Sequence, residues 1–376
     1  MIFATALLWL AILLFKAGFA WQALRRPHTS GDVRFDEVTI AQPILSGDPA
    51  LESVLQSNLL SLTGVHFLWL TDEDDPEAAA VTARLQQRYP HHIIDVVSSP
   101  APPEGVNPKL YKLDRVLNRI TTTHLLVLDD DAHLSAQALR QMLAELQDNT
   151  LVTALPWYHS TGALPCQLLA QFVNDNSTMT YLPLLPFRPP LTLNGMCYAI
   201  PVATLQQTGG FAPLLRFLTD DLALASHLER HQVRIIQSSA AVRVRTSLKG
   251  LRAYSRQMHR WFLFATLLLR EKSLPVNGLI FLLQGLHPLL LWAMILMAAD
   301  GGAAAWGVLA GCLLVRQGVL RGIQRVLSRE IPLRPMLSLL SELLQPLHLL
   351  HALLNRTIYW RSRRYRVLRN DRFISS

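Results

Sequence analysis

The sequence predicts an α/β catalytic domain with a Rossmann-like, mostly parallel sheet, preceded by an anchor helix and followed by transmembrane or interfacial helices. Three observations carry this expectation. Short apolar runs alternate with helical stretches between residues 31 and 237, the pattern of strands joined by crossover helices. Long apolar stretches stand at both ends of the chain, and 50% of its 376 residues are apolar against 16% charged, too greasy for an ordinary soluble enzyme. Finally, three aspartates, Asp129, Asp130 and Asp131, follow directly on the apolar run 125–128. Ligands of open α/β sheets bind at the carboxyl ends of strands.

Residues 1–21 are apolar apart from Lys16, and Arg25 and Arg26 come after the run. A secretory signal carries its charges before the apolar core, so this stretch is expected to be an uncleaved anchor over residues 1–24 with its basic flank in the cytosol. The catalytic domain is expected over 31–250. Within it, 37–45, 65–71, 93–97 and 125–128 read as strands, and 49–62, 109–120 and 135–147 as helices, with Ser135 a cap. Beyond Thr153 the pattern is less regular, and the proline-rich stretch 182–191 reads as a loop or membrane-touching segment. Residues 251–275 form an amphipathic interfacial helix, with Arg252, Arg256 and Arg260 at i, i+4 and i+8.

The membrane region is expected over 276–355. Stretches 276–299 and 303–320 each match a bilayer core of ~30 Å. The third, 336–354, is interrupted by Glu342, Gln345, Pro346, His348 and His351, and reads either as a span or as a re-entrant segment. Residues 356–376 read as a basic cytosolic tail. The net charge of +8 suits an anionic membrane surface or a phosphorylated substrate, and its placement favours the membrane.

Several chemistries are excluded. The chain has no phosphate-cradling glycine loop and no G-x-S-x-G elbow, and His91, His92, His133 and His159 lack metal-ligand spacing. Cys166, Cys197 and Cys312 are too scattered for a disulfide framework.

What remains is acidic. Asp129 and Asp131 alternate at a strand end and so can share a divalent cation; the plain alternative is a solvated turn. The cluster 71–77 (TDEDDPE) follows a strand, where an acid suits a nucleobase or ribose, although turn and helix-start residues explain it equally. Asp220 and Asp221 stand before a helix, either as N-caps or as a general base near an acceptor hydroxyl. Gln257, Arg260 and Trp261 lie on the basic helix: Arg260 suits lipid head groups or a diphosphate, and Trp261 an interface or an acceptor platform.

In this order and at these spacings, the motifs resemble the processive-type GT-A glycosyltransferases, and among them the ceramide glucosyltransferase family. The resemblance rests on Asp74–Asp75–Pro76, Asn107–Pro108–Lys109, the D-x-D, Asn194–Gly195–Met196–Cys197, the acid pair, Q-x-x-R-W and the tail residues Trp360, Arg361, Tyr365 and Arg366. It implies a membrane-bound, multi-pass inverting enzyme, its catalytic domain cytosolic, as at a bacterial inner membrane. Such an enzyme transfers a hexose from a UDP-sugar, UDP-glucose first, to the hydroxyl of a lipid such as ceramide; nucleic acid is not a partner. Hopanoid glycosylation, a donor such as UDP-GlcNAc, or polysaccharide synthesis are the alternatives.

The resemblance also assigns roles. Asp75 recognises the nucleotide, and Asp129, Asp130 and Asp131 hold ribose and an Mg²⁺ or Mn²⁺ ion, with Asp129 and Asp131 as the metal acids. Asp221 is the base beside Asp220. Gln257, Arg260 and Trp261 meet the diphosphate and acceptor, and Lys109 a phosphate. Asp220 departs from the family's usual glutamate, and the loop 98–106 and stretch 182–191 depart where sugar and lipid would be read.

Overall fold

The computed structural model describes residues 1–26, 33–160, 162–245, 247–360 and 363–375. Gly31, the expected start of the catalytic domain, and Arg361 of the tail motif lie outside the described residues. The elements in chain order are α1 (Ile2–Leu24), β1 (Val38–Pro43), α2 (Leu51–Ser61), β2 (His66–Asp72), α3 (Pro76–Arg88), β3 (Ile93–Ser99), α4 (Pro108–Val116) and β4 (His124–Leu128). There follow β5 (Ala132–Leu134), α5 (Ala136–Glu145), β6 (Thr150–Tyr158), α6 (Leu164–Tyr181), β7 (Cys197–Pro201), α7 (Val202–Gln207), α8 (Asp220–Arg230) and β8 (Arg234–Val244). The remainder comprises α9 (Leu251–Glu271), α10 (Leu274–Ile280), α11 (Leu286–Asp300), α12 (Gly302–Leu327), α13 (Pro335–Leu354), β9 (Thr357–Trp360), β10 (Arg363–Arg369) and β11 (Arg372–Ser375). Two compact units result, one of Met1–Arg26, Trp157–Arg188 and Leu248–Ser362, the other of Pro27–Pro156, Pro189–Ser247 and Arg363–Ser376.

The second unit is the α/β part. Its sheet runs in the order β3-β2-β1-β4-β7-β6-β8-β5. The first four strands are mutually parallel, and β7 then runs antiparallel to β4. All six residues of β1 and the four apolar residues of β4 are buried, as expected of central strands covered on both faces. Leu125 and Val127 of β4 share one buried core cluster with Leu110, Leu113 and Val116 of α4 and with Leu224 and Leu228 of α8. This packing fixes the two helices that carry charged residues to the sheet edge.

Local chemistry sets the helix starts. Ser135 caps α5, its Oγ accepting from the Ala138 amide at 3.1 Å. Asn107 caps α4 through Oδ1, which accepts from the Lys109 and Leu110 amides, with Pro108 in the first turn. Asp220 and Asp221 are not caps: Thr219 holds that position, and both acids lie in the first turn of α8. The basic tail contains strands of its own. β10 and β11 pair antiparallel, and Asn370 between them receives the Leu218 amide on its carbonyl and the Thr219 amide and hydroxyl on Oδ1.

The first unit is helical. α1, the continuous stretch Leu274–Asp300, α12 and α13 are long and apolar enough to cross a membrane. The segment after Thr153, expected to be irregular, contains the 18-residue α6. The reason is a mixed buried face: α6 buries Gln171, Asn174, Asp175, Ser177 and Thr178 alongside Leu168, Leu169, Ala170 and Met179, and the polar residues break up the usual apolar period. The proline-rich stretch 182–191 is indeed turn and loop, and its Phe187 packs on Phe15 and Phe19 of α1.

The residues that seemed to interrupt 336–354 leave α13 continuous, with Pro346 inside it. Glu342 points inward, bonded to Arg316 Nε and 2.8 Å from His287 Nδ1. Arg316 also donates to Ser338 Oγ at 2.7 Å, and Asp175 accepts from Ser338, Gln171 and Gln324 at 2.6–2.7 Å. Lys16 donates to Gln284 Oε1 and to the Leu283 carbonyl, which belongs to a π-helical segment, Phe281–Gly285, between α10 and α11. Charges inside apolar helices survive because each finds an oppositely charged or hydrogen-bonding partner.

Candidate active site

Parallel pairing places the carboxyl ends of β1, β2 and β4 along one edge of the sheet, joined there by the start of the antiparallel β7. From this edge the acids project. Asp75, after β2, accepts the Ser46 amide at 2.8 Å and the Ala78 amide at 3.0 Å, the second bond capping α3. Asp130, after β4, accepts the neighbouring Leu45 amide at 2.7 Å. The turn after β1 thus ties these two acids together. Burial alone would push Asp75 up, but the amide bonds more than offset it and hold the carboxyl below its usual range.

Asp129 and Asp131 are both half-buried. The Asp129 amide bonds the Met196 carbonyl at 2.9 Å, and the Asp131 carbonyl accepts the Arg245 amide at 2.9 Å. These backbone bonds set the strand end between the turn before β7 and the end of β8.

Lys109 stands at the centre. Its Nζ lies 2.7 Å from Asp129 Oδ1, 2.9 Å from Asp220 Oδ2 and 2.7 Å from the Gly195 carbonyl. Burial works against the ammonium, but the two carboxylates outweigh it and raise its pKa well above the ordinary value. Lys109 therefore joins the D-x-D to the second acid pair.

Asp221 adjoins this group. Burial first, and then the neighbouring Asp220 charge, push it up to about 7; the Leu222 amide, 2.7 Å from Oδ1, and Lys109 oppose the rise. Such a value suits proton transfer near neutrality. Gly195 leaves the acids their room: a Cβ there would lie 3.2 Å from Asp221 Cβ and 3.4 Å from Asp220 Oδ2.

Of the expected site residues, Asp75, Lys109, Asp129, Asp130, Asp131, Asp220 and Asp221 thus share one sheet edge. Gln257, Arg260 and Trp261 belong to the helical unit, on α9. There Arg260 Nη2 donates to Gln257 Oε1 at 3.0 Å, and the Trp261 ring packs on Tyr158 and Phe172, each 6.1 Å away.

Sequence reasoning missed three supporting residues. Lys112, one turn after Lys109 and 1% exposed, bonds Asp72 Oδ2 and the Ile44 carbonyl, both at 2.9 Å, and so ties the ends of β1 and β2 together. The i, i+3 spacing of the two lysines is the one local signal for it, and the sequence reading did not use it. Asp72 was read only as part of an acidic turn. Asn370 supports the start of α8 from 151 residues away and has no local signal.

Among the described residues, no group of three or more His, Cys, Asp or Glu side chains is arranged to hold a metal. Mg²⁺ commonly takes only one or two carboxylates and completes its shell with substrate phosphates and water, so Asp129 and Asp131 fit that chemistry. The Lys109 ammonium, ringed by three oxygens, marks the same spot as one built for positive charge.

A Rossmann-like sheet gathering these acids at one edge defines the GT-A class of glycosyltransferases. The chain belongs to glycosyl transferase family 21, whose sequence profile matches residues 1–373. Among solved structures it is similar to the mannosyltransferase PcManGT from Pyrobaculum calidifontis in complex with GDP-Man and Mn²⁺. The TM-score is 0.53 at 16% identity, covering 92% of this chain and 99% of that one. A mycobacterial protein of known structure matches 66% of this chain and 77% of its own at 16% identity, with a TM-score of 0.34. No curated protein matches.

Proposed function

We propose that this transferase is a membrane-bound, inverting enzyme that moves a hexose from a UDP-sugar, UDP-glucose in the first instance, to the hydroxyl of a lipid acceptor such as ceramide. One observation carries the reading: an acid after β2, a D-x-D and an acid tuned to about 7 converge on one sheet edge, in a chain whose described residues include four helices of spanning length.

Asp75, held ionised by two amides, accepts hydrogen bonds from the nucleotide base. Asp130 positions the turn after β1 against the ribose. Asp129 and Asp131 would hold Mg²⁺ or Mn²⁺, which would supply positive charge against the diphosphate of the leaving UDP. Asp221 takes the proton from the lipid hydroxyl as its oxygen attacks the anomeric carbon from the face opposite UDP. Asp220, ion-paired with Lys109, keeps a negative neighbour beside that base. The family resemblance assigns Gln257, Arg260 and Trp261 to the diphosphate and acceptor. The anchor's basic flank, Arg25 and Arg26, sets the catalytic unit on the cytosolic face. Confining the acceptor to the bilayer lowers the orientational freedom lost at reaction.

The test is direct. Full-length protein in detergent is given UDP-glucose, UDP-GlcNAc or GDP-mannose with ceramide or a hopanoid alcohol, with Mn²⁺ or after EDTA, and lipids are read by mass spectrometry. A single-hexose lipid that appears with UDP-glucose, needs metal and vanishes in Asp221→Asn is expected. Retained turnover in that variant would remove Asp221 as the base, and a polymer ladder would replace the lipid reading with a synthase.

A further inference from the structure

Lys109 has a place in the site that a simple phosphate contact does not explain. An ammonium has three N–H bonds, and all three are already used, on Asp129, Asp220 and the Gly195 carbonyl. Its root is rigid, because the Asn107 cap and Pro108 fix the first turn of α4 and the Asn107 amide bonds the Leu215 carbonyl at 2.8 Å. The side chain is only 16% exposed, so solvent does little to screen it. One of the two D-x-D carboxylates fit for a cation is therefore already paired with a unit positive charge in the donor-free protein.

We propose that Lys109 holds the place of the divalent cation at Asp129 in the donor-free enzyme, so that cation and nucleotide diphosphate enter together rather than the cation first. A dication approaching Asp129 alone meets the ammonium, and the two positive charges repel at close range. The diphosphate brings negative charge that offsets this repulsion and offers Lys109 a new partner. Asp220 and the Gly195 carbonyl keep their hold on the ammonium once Asp129 is released, so the switch needs a shift of one hydrogen bond, not of a helix. Lys109 thus acts as a positioning residue, coupling the metal acid to the acid pair beside the base.

This inference rests on the glycosyltransferase reading, and its test does not use turnover. Free Mn²⁺ is followed by electron paramagnetic resonance as it is titrated into full-length, detergent-purified protein, with and without UDP. Wild type is expected to bind Mn²⁺ at least about tenfold tighter with UDP than without it, the reciprocal of UDP binding tighter with Mn²⁺. Lys109→Met and Lys109→Gln, which lack the charge, should bind Mn²⁺ alone about tenfold tighter than wild type and show a smaller gain from UDP. Lys109→Arg keeps the charge and should resemble wild type, which separates charge from packing even where the Met variant folds poorly. Equal Mn²⁺ affinity in wild type and the Gln variant, without UDP, overturns the proposal while leaving the transferase intact. If wild type binds no Mn²⁺ even with UDP, the metal-dependent reading falls and this proposal falls with it.

Discussion

Replacing Asp220 with asparagine removes one charge beside the proposed base and leaves its shape nearly unchanged. The geometry around Gly195 sets the scale: a single point lies 3.2 Å from Asp221 Cβ and 3.4 Å from Asp220 Oδ2, so that oxygen is within about 7 Å of Asp221 Cβ. Even at ~9 Å, the outer limit this leaves for the two carboxylates, unit charges in a medium of effective dielectric ~20 repel by ~1.8 kcal/mol. The sign follows from the role: a base works when deprotonated, so activity should rise with pH through about 7 in the wild type. In Asp220→Asn the repulsion is gone and Lys109 still draws the carboxylate form, so the rising limb should move to lower pH. Burial, the larger cause, remains and keeps the limb above the ordinary carboxylate range. The assay is kcat/KM against pH, which reports the free enzyme. The shift in the midpoint is the readout, since the maximal rate also falls when Lys109 loses a partner. A midpoint that stays at the wild-type value would refute both the Asp220–Asp221 coupling and the assignment of that limb to Asp221.

Two further substitutions probe packing, one beside these acids and one within the helical unit. Gly195→Ala puts a methyl at 3.2 Å from Asp221 Cβ, tighter than ordinary contact, so the acid must move by a few tenths of an ångström. A displacement of that kind should cost about 10-fold or more in kcat with little change in donor KM, read by steady-state kinetics. Glu342→Ala removes the carboxylate bonded to Arg316 and His287 inside the helical unit, where both are buried, and leaves Arg316 only the more distant Asp175 at 3.8 Å. Losing one partner of a buried ion pair costs about 3–5 kcal/mol, so unfolding in detergent should come at clearly lower temperature.

The sheet edge was legible because its signals are local. Buried strands show as apolar runs, and acids placed immediately after them announce themselves by position, as Asp75 and Asp129 do. Ser135 was readable as a cap because a serine before an apolar period has few other uses. α6 was not readable, because helix recognition looks for an unbroken apolar period on the inward face, and Asn174, Asp175 and Thr178 share that face with Leu168, Leu169 and Met179. The same limit applied to 336–354: Glu342 looked like an interruption until its partners, Arg316 and His287, came from two other helices. Asp220 and Asp221 read equally well as caps, and only Lys109, more than a hundred residues earlier, separates an ion pair from a cap. Lys112 was passed over because a lysine on an amphipathic helix normally faces water, whereas this one ends on Asp72 inside the protein.

The clasp between Asn370 and Thr219 has a temporal meaning. The two residues are 151 positions apart, and every helix from α9 to α13 is encoded between them. A ribosome must therefore deliver all of those apolar segments before the acid-bearing helix receives its final fastening. Synthesis of α9 to α13 therefore precedes completion of the α/β unit, and a nascent chain that stops short of Asn370 lacks the fastening of α8.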